Sequence, residues 1–240
     1  MTRADWLLWV VLPYVSLTVF VVGHIWRYRR DQFTWTTRST QLLERRRLHI
    51  GNLLFHLGLL AVIGGHFVGI VVPKSLTNAA GVPEWAYHDG SVTMGTISGT
   101  AMVLGFGLLM FRRGTDSRVR SATSRLDVLT FVVLGAVMIM GMAETVGINL
   151  FGGGYDYRVT VAPWFRGLFT LQPDPALMAS APLVYRVHIA LAFLLLALWP
   201  FTRLVHLWSV PIAYLRRSPI IYRSRTPQTH LARDVEAGET

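Results

Sequence analysis

Four histidines stand inside two apolar runs. His56 and His66 lie in LFHLGLLAVIGGHFVG, and His188 and His206 in YRVHIALAFLLLALWPFTRLVHLW. An ionisable side chain in hydrocarbon is costly, so it normally has a partner and a task. A neutral imidazole can ligate low-spin haem iron on each axial side, and iron filled on both sides carries electrons instead of activating oxygen. Two imidazoles on each of two spans are what two bis-histidine haems need. The second ring nitrogen then requires its own hydrogen-bond partner, often a backbone carbonyl. The competing assignment is four packing histidines hydrogen-bonded between helices. A zinc or copper site shared by all four is disfavoured, because the pairs lie too far apart for one ion.

Composition says what must position these rings. The chain is 52% apolar and 15% charged, with a mean hydropathy of +0.42, which points to an integral membrane protein. Cysteine is absent, which excludes disulfides, cysteine-ligated iron–sulfur clusters and covalently attached haem in this chain. The net charge of +10 comes almost wholly from arginine at the ends of apolar runs. No basic stripe lies on a soluble domain, so no nucleic-acid partner is expected.

Five apolar runs predict an all-α bundle of five transmembrane helices. They are Trp6–Trp26, Leu48–Pro73, Gly90–Phe111, Val128–Leu150 and Val187–Leu207. Glu144 interrupts the fourth and Arg203 the fifth, so both are expected near an interface or facing a partner. Trp164–Leu171 is a candidate interfacial segment. Residues 1–215 are expected to form the membrane domain, and 216–240 a cytoplasmic tail that docks a partner. Segments 27–47, 112–126 and 203–240 hold 18 arginines, against five basic residues on the other side. The positive-inside rule then puts the N-terminus outside and the C-terminus in the cytoplasm.

Orientation gives each histidine a depth. His66 and His188 fall near the outer face, and His56 and His206 near the inner face. Ten residues separate His56 from His66, about 15 Å of helix, and eighteen separate His188 from His206, about 27 Å. Tilt, tipped haems or a kink at Trp199-Pro200 must absorb that difference.

Several stretches resemble the gamma subunit of respiratory nitrate reductase, a membrane dihaem cytochrome b. They are RYRRDQFTW (Arg27–Trp35), NLLFHLGLL (Asn52–Leu60), GHFVGIVVP (Gly65–Pro73), SRVRSATSRLDVL (Ser117–Leu129) and Tyr185–Leu215. The resemblance implies two b-type haems, the outer one on His66/His188 and the inner one on His56/His206. It also implies quinol oxidation near the outer haem, with protons released outside. Electrons would pass inward to an iron–sulfur beta subunit. A molybdenum alpha subunit would then reduce nitrate in the cytoplasm, with this chain as the anchor in the cell membrane. A membrane cytochrome of a sulfite- or heterodisulfide-reductase-like complex and a haem-free membrane scaffold are the alternatives.

The quinol pocket is less defined. Gly65, after Gly64, could let a flat ring approach the outer haem, or could serve helix packing. The family places a lysine in the loop before the third run. Ala86, Tyr87 and His88 stand there in this chain, whose single lysine is Lys74. His88 is the first candidate to accept a proton from quinol, since histidine exchanges protons nearest neutral pH. Lys74 is the second. Arg203, three residues before His206, could pair with a haem propionate or snorkel to the interface.

Overall fold

The computed structural model describes residues 2–31, 35 and 46–209. Among the described residues every regular element is helical. Five helices are long and apolar enough to cross a membrane: α1 (Arg3–Arg30), α2 (Leu48–Val71), α3 (Glu84–Thr115), α4 (Arg125–Leu150) and α5 (Leu183–Phe201). Their flanks carry bulky apolar side chains in the open. Val22, Leu60, Ile97, Leu104, Val132 and Ile139 are each more than half exposed, which suits lipid and not water. The expected tail, 216–240, and the arginine-rich segment 36–45 lie outside the described residues.

Most helices overrun the apolar runs because polar caps extend them. Thr2 opens α1, its hydroxyl accepting from the Asp5 N–H while the Asp5 carboxylate accepts from the Thr2 N–H. Ser124 and Asp127 make the same reciprocal pair at the start of α4. Such boxes satisfy the free N–H groups of a first turn. Pro83 caps α3 in an extended conformation. Helix therefore begins at Glu84, and Trp85–Asp89, expected in a loop, forms the first turns of α3. The same expected loop holds a short helix, Lys74–Ala79.

α2 pairs with α3, α3 with α4, α4 with α5, and α5 with α1. Small residues set the closest of these approaches. A Cβ on Gly58 would lie 2.6 Å from the Met102 nitrogen, and one on Gly105 would collide with the Phe55 backbone. Glycine in that position lets two backbones touch, which is a main source of helix cohesion in lipid. Phe55, Met102 and Met138 fill the space beside it. A second cluster joins Trp9, Trp164, Met178, Tyr185 and Phe193. Trp164 belongs to the helix Val161–Phe169, and its indole donates to the Trp9 carbonyl at 2.9 Å. The stretch expected at the interface thus buries its Trp164 face on α1 and α5 and leaves Phe169 exposed.

α5 does not run through to Leu207. It is α-helical over Leu183–Leu198 and tightens to a 3-10 turn at Trp199–Phe201, and Thr202 is extended. A separate 3-10 turn, Arg203–Ser209, carries His206. Pro200 has no N–H to give and its ring crowds the carbonyl four residues back, so the helix stops. The freed carbonyls find a donor: buried Arg27 of α1 donates to the Pro200 oxygen at 2.5 Å and the Thr202 oxygen at 2.9 Å. The expected kink is a full break.

Gly105→Ala should lower the thermal midpoint of the purified protein, at a cost of about 1–3 kcal/mol for forcing apart a tight contact. Gly107→Ala, with nothing within 4 Å, should not. Equal melting of Gly105→Ala and wild type would contradict the close approach.

Candidate functional site

The two histidine-bearing helices, α2 and α5, hardly approach each other backbone to backbone. They are joined through α3 and α4 instead. Across that gap the rings meet in two pairs. His66 faces His188 with centroids 6.1 Å apart and planes at 24°. His56 faces His206 at the same 6.1 Å with planes at 72°. An ion about 2 Å from each ring nitrogen, with the centroid about 1 Å beyond it, would space two imidazoles by about 6 Å. The pairing that depth suggested is the pairing observed. The unequal helical rises are reconciled where α5 breaks, because His206 no longer continues the α5 spiral.

All four rings are oriented alike. Each Nδ1 sits against a backbone carbonyl: His56 on Asn52 (2.9 Å), His66 on Val62 (2.8 Å), His188 on Val137 (3.0 Å) and His206 on Arg203 (2.7 Å). A carbonyl only accepts, so Nδ1 carries the proton and Nε2 keeps its lone pair for a ligand bond. Among the described residues no three His, Asp or Glu side chains converge to hold an ion by themselves. An ion between either pair must bring its remaining ligands with it, as an iron in a macrocycle does. Space for a flat group exists beside His66, since a Cβ on Gly64 or Gly65 would meet nothing within 4 Å. The ring of His188 is bounded by Gly141, where a Cβ would stand 3.1 Å from Cε1.

A polar layer lies one turn beyond the His66/His188 pair. The Tyr157 hydroxyl abuts Gly69 so closely that any Cβ there would collide with it. Tyr157 stacks on Tyr185 at 6.4 Å, and its hydroxyl is 3.3 Å from that of Tyr87. Asn149 donates to the Tyr185 hydroxyl at 2.7 Å and to the Glu144 carbonyl at 2.8 Å. Buried Arg158 lies over the Tyr87 ring at 3.8 Å and faces Glu84 at 3.6 Å. Burial, then the hydrogen bond with Tyr87, push the Tyr157 phenol well above its ordinary range, so it stays protonated.

The two candidate proton acceptors differ. Lys74 bridges Asp156 at 2.7 Å and Glu84 at 3.1 Å. The Asp156 contact, then that with Glu84, raise its pKa, so the ammonium stays charged at neutral pH and has no lone pair to offer. Its role is to clasp two loops. His88 has Nδ1 3.3 Å from Asp89, and its buried Nε2 makes no hydrogen bond. That nitrogen is within 3.3 Å of where a Gly154 Cβ would be.

Arg203 has a partner that sequence reading missed. Its Nε and Nη2 donate to the two carboxylate oxygens of Asp127 at 2.9 and 2.7 Å. The fork is thus committed to α4, and it ties the 3-10 turn bearing His206 to the start of that helix. Asp127 was not singled out by the sequence; in the structure it also completes a capping box with Ser124. Tyr157, Tyr185, Asn149 and Arg158 gave no signal, since they converge from elements far apart in sequence.

The nitrate reductase gamma subunit family model matches residues 5–225. The chain belongs to that family. It is 44% identical to the nitrate reductase gamma chain of Bacillus subtilis, over 92% of this chain and 98% of that one. Identity to the respiratory nitrate reductase 2 gamma chain of Escherichia coli is 32%, over 90% and 95%. The nitrate reductase-like protein NarX of Mycobacterium tuberculosis is 50% identical over 91% of this chain, which spans about a third (34%) of the NarX length. The gamma-subunit family is a membrane component of respiratory nitrate reductase, and the five apolar helices agree with that setting.

Arg203→Ala leaves the Asp127 carboxylate buried without its cation, a change that typically costs about 3–5 kcal/mol. A fall in thermal midpoint should follow, and Arg203→Lys should recover only part of it, since an ammonium cannot make the two-pronged contact. Full recovery by lysine would show that only the charge matters.

Proposed function

We propose that this gamma subunit is the quinol-oxidising dihaem cytochrome b of a nitrate reductase. One b-type haem would be held by His66 and His188, the other by His56 and His206. The observation that carries this is the matched pair spacing of 6.1 Å with every Nδ1 turned to a carbonyl. Bound there, the haems supply one-electron transfer along the bundle. The chain's own contribution is to fix the four rings, keep water out of the apolar interior and hold each Nε2 unprotonated.

The arginine asymmetry supports an outward N-terminus and a cytoplasmic C-terminus in the cell membrane. His66/His188 is then the outer site, where quinol is oxidised. Electrons go inward to an iron–sulfur beta subunit and on to a molybdenum alpha subunit. Domain 1–215 is the membrane part, and tail 216–240 docks the partners. A relative from Archaeoglobus fulgidus, 25% identical over 90% of this chain, is an Hdr-like menaquinol oxidoreductase cytochrome b-like subunit, which supports both cytochrome b and quinol chemistry. Gly65 gives the quinol ring room beside His66, and His88 accepts a proton at the mouth. Lys74, held as a cation by Asp156 and Glu84, clasps the loops at that mouth instead of accepting a proton, and Arg203 steadies the inner site through Asp127 more than through a propionate.

The dithionite-reduced spectrum of the intact complex should show a b-type band, and haem content should approach two per gamma chain. His66→Ala and His188→Ala should each remove the same haem, and His56→Ala and His206→Ala the other. A flat spectrum would sink the cytochrome assignment. His88→Ala should slow quinol-driven haem reduction by about 10²-fold; a wild-type rate would remove His88 from the site.

A further inference from the structure

Glu144 is a carboxylic side chain placed inside a membrane-spanning helix. Its Oε1 is buried and makes no hydrogen bond, and among the described residues no cation stands within ion-pair distance. Such a group in a span needs a task to offset its cost. The helix around it is wound wide, π-helical over Ala143–Leu150, a departure that concentrates at functional sites. Asn149 holds this winding by donating to the Glu144 carbonyl, so the backbone is pinned while the carboxyl is left unpartnered.

Its position is specific. Glu144 follows by three residues Gly141, the residue packed against the His188 ring, so it stands about one turn from that contact. Its backbone carbonyl is tied through Asn149 to the polar layer. Tyr185 shares Asn149 with it, since that amide donates both to the Tyr185 hydroxyl and to the Glu144 carbonyl. Lys74, the chain's one lysine, is already held as a cation by Asp156 and Glu84. Glu144 is thus an unpartnered buried carboxyl on the helix whose Gly141 bounds the His188 ring.

We propose that Glu144 receives one of the two protons released when a quinol is oxidised beside His66 and His188; this rests on the quinol-oxidising reading above. The quinol would give up its two electrons one at a time, each to the iron that His66 and His188 would hold once the previous electron has passed inward, and it breaks two O–H bonds. One proton forms a new O–H bond on the Glu144 carboxylate, and the other leaves through the mouth near His88. The proton on Glu144 returns to water through the layer of Asn149, Tyr185 and Tyr157. An unpaired carboxylate suits this task, because a proton is what neutralises it and no bound cation competes.

The test uses the complete nitrate reductase complex, with a synthetic short-chain quinol as reductant. In Glu144→Gln the b-type spectrum and reduction by dithionite should match wild type, while quinol-driven haem reduction slows by about 10²-fold. Glu144→Asp should recover part of the rate. A second readout does not depend on turnover: the redox-induced infrared difference spectrum of wild type should contain a carboxylic-acid C=O band. That band should move on glutamate ¹³C-labelling and vanish in Glu144→Gln. Should Glu144→Gln fail to assemble, Glu144→Asp should displace the band. A wild-type rate in Glu144→Gln, or a band indifferent to both substitutions, overturns the proposal. Loss of the b-type band from wild type would instead strike the cytochrome reading itself.

Discussion

Everything in this bundle serves a distance that two apolar helices would not keep by themselves. α2 and α5 are rich in leucine and valine and would gain by packing together. They are held apart, each leaning on an intermediary, so that imidazoles meet across the gap at 6.1 Å. α3 reaches α2 through a seam of glycine so tight that a single methyl group would open it. α4 in turn carries α5. The separation is a property of the frame, and the rings report it twice over.

The frame is locked at both ends by polar groups that hydrocarbon would punish if left single. At one end Arg27 satisfies the carbonyls that Pro200 frees, and Arg203 grips Asp127. At the other, Arg158, Lys74, Glu84 and Asp156 knit two loops together over the tyrosine layer. Among the described residues the interior between the locks is mostly apolar, the histidines, Glu144 and the hydroxyls of Ser16, Ser98 and Thr130 being exceptions. Were the proposed electron transfer to run here, the wet ends would take up charge and the dry middle would keep the electron on its path.

The pairing of His66 with His188 and His56 with His206 was legible because two spans expected to run in opposite directions sort four rings into two levels, and the rings do meet in those pairs. The size of the helical mismatch was legible too, and its resolution at Pro200 was half visible: proline forbids the helix, but only the fold shows Arg27 arriving to let it end there. Helix ends were misread where caps, not hydropathy, decide them, as at Pro83 and Ser124. The Arg203–Asp127 contact spans 76 residues, and each partner alone had a sufficient local explanation. The tyrosine layer was out of reach for the same reason, since Tyr87, Tyr157 and Tyr185 come from three elements with no periodicity in common. Glu144 stood out in its run, yet only the bundle shows that no cation among the described residues pairs with it.

The four Nδ1 contacts are not equivalent. His56, His66 and His206 lean on carbonyls three or four residues back in their own chain segment, so their rings are set as soon as that segment winds. His188 leans on Val137, a residue of another helix. Its ring is aimed only once α4 has docked against α5. In the order of assembly, the site shared by His56 and His206 needs two segments to meet, whereas that of His66 and His188 needs three. The bundle therefore has a last step written into it, and it is the pair His66 and His188 that waits.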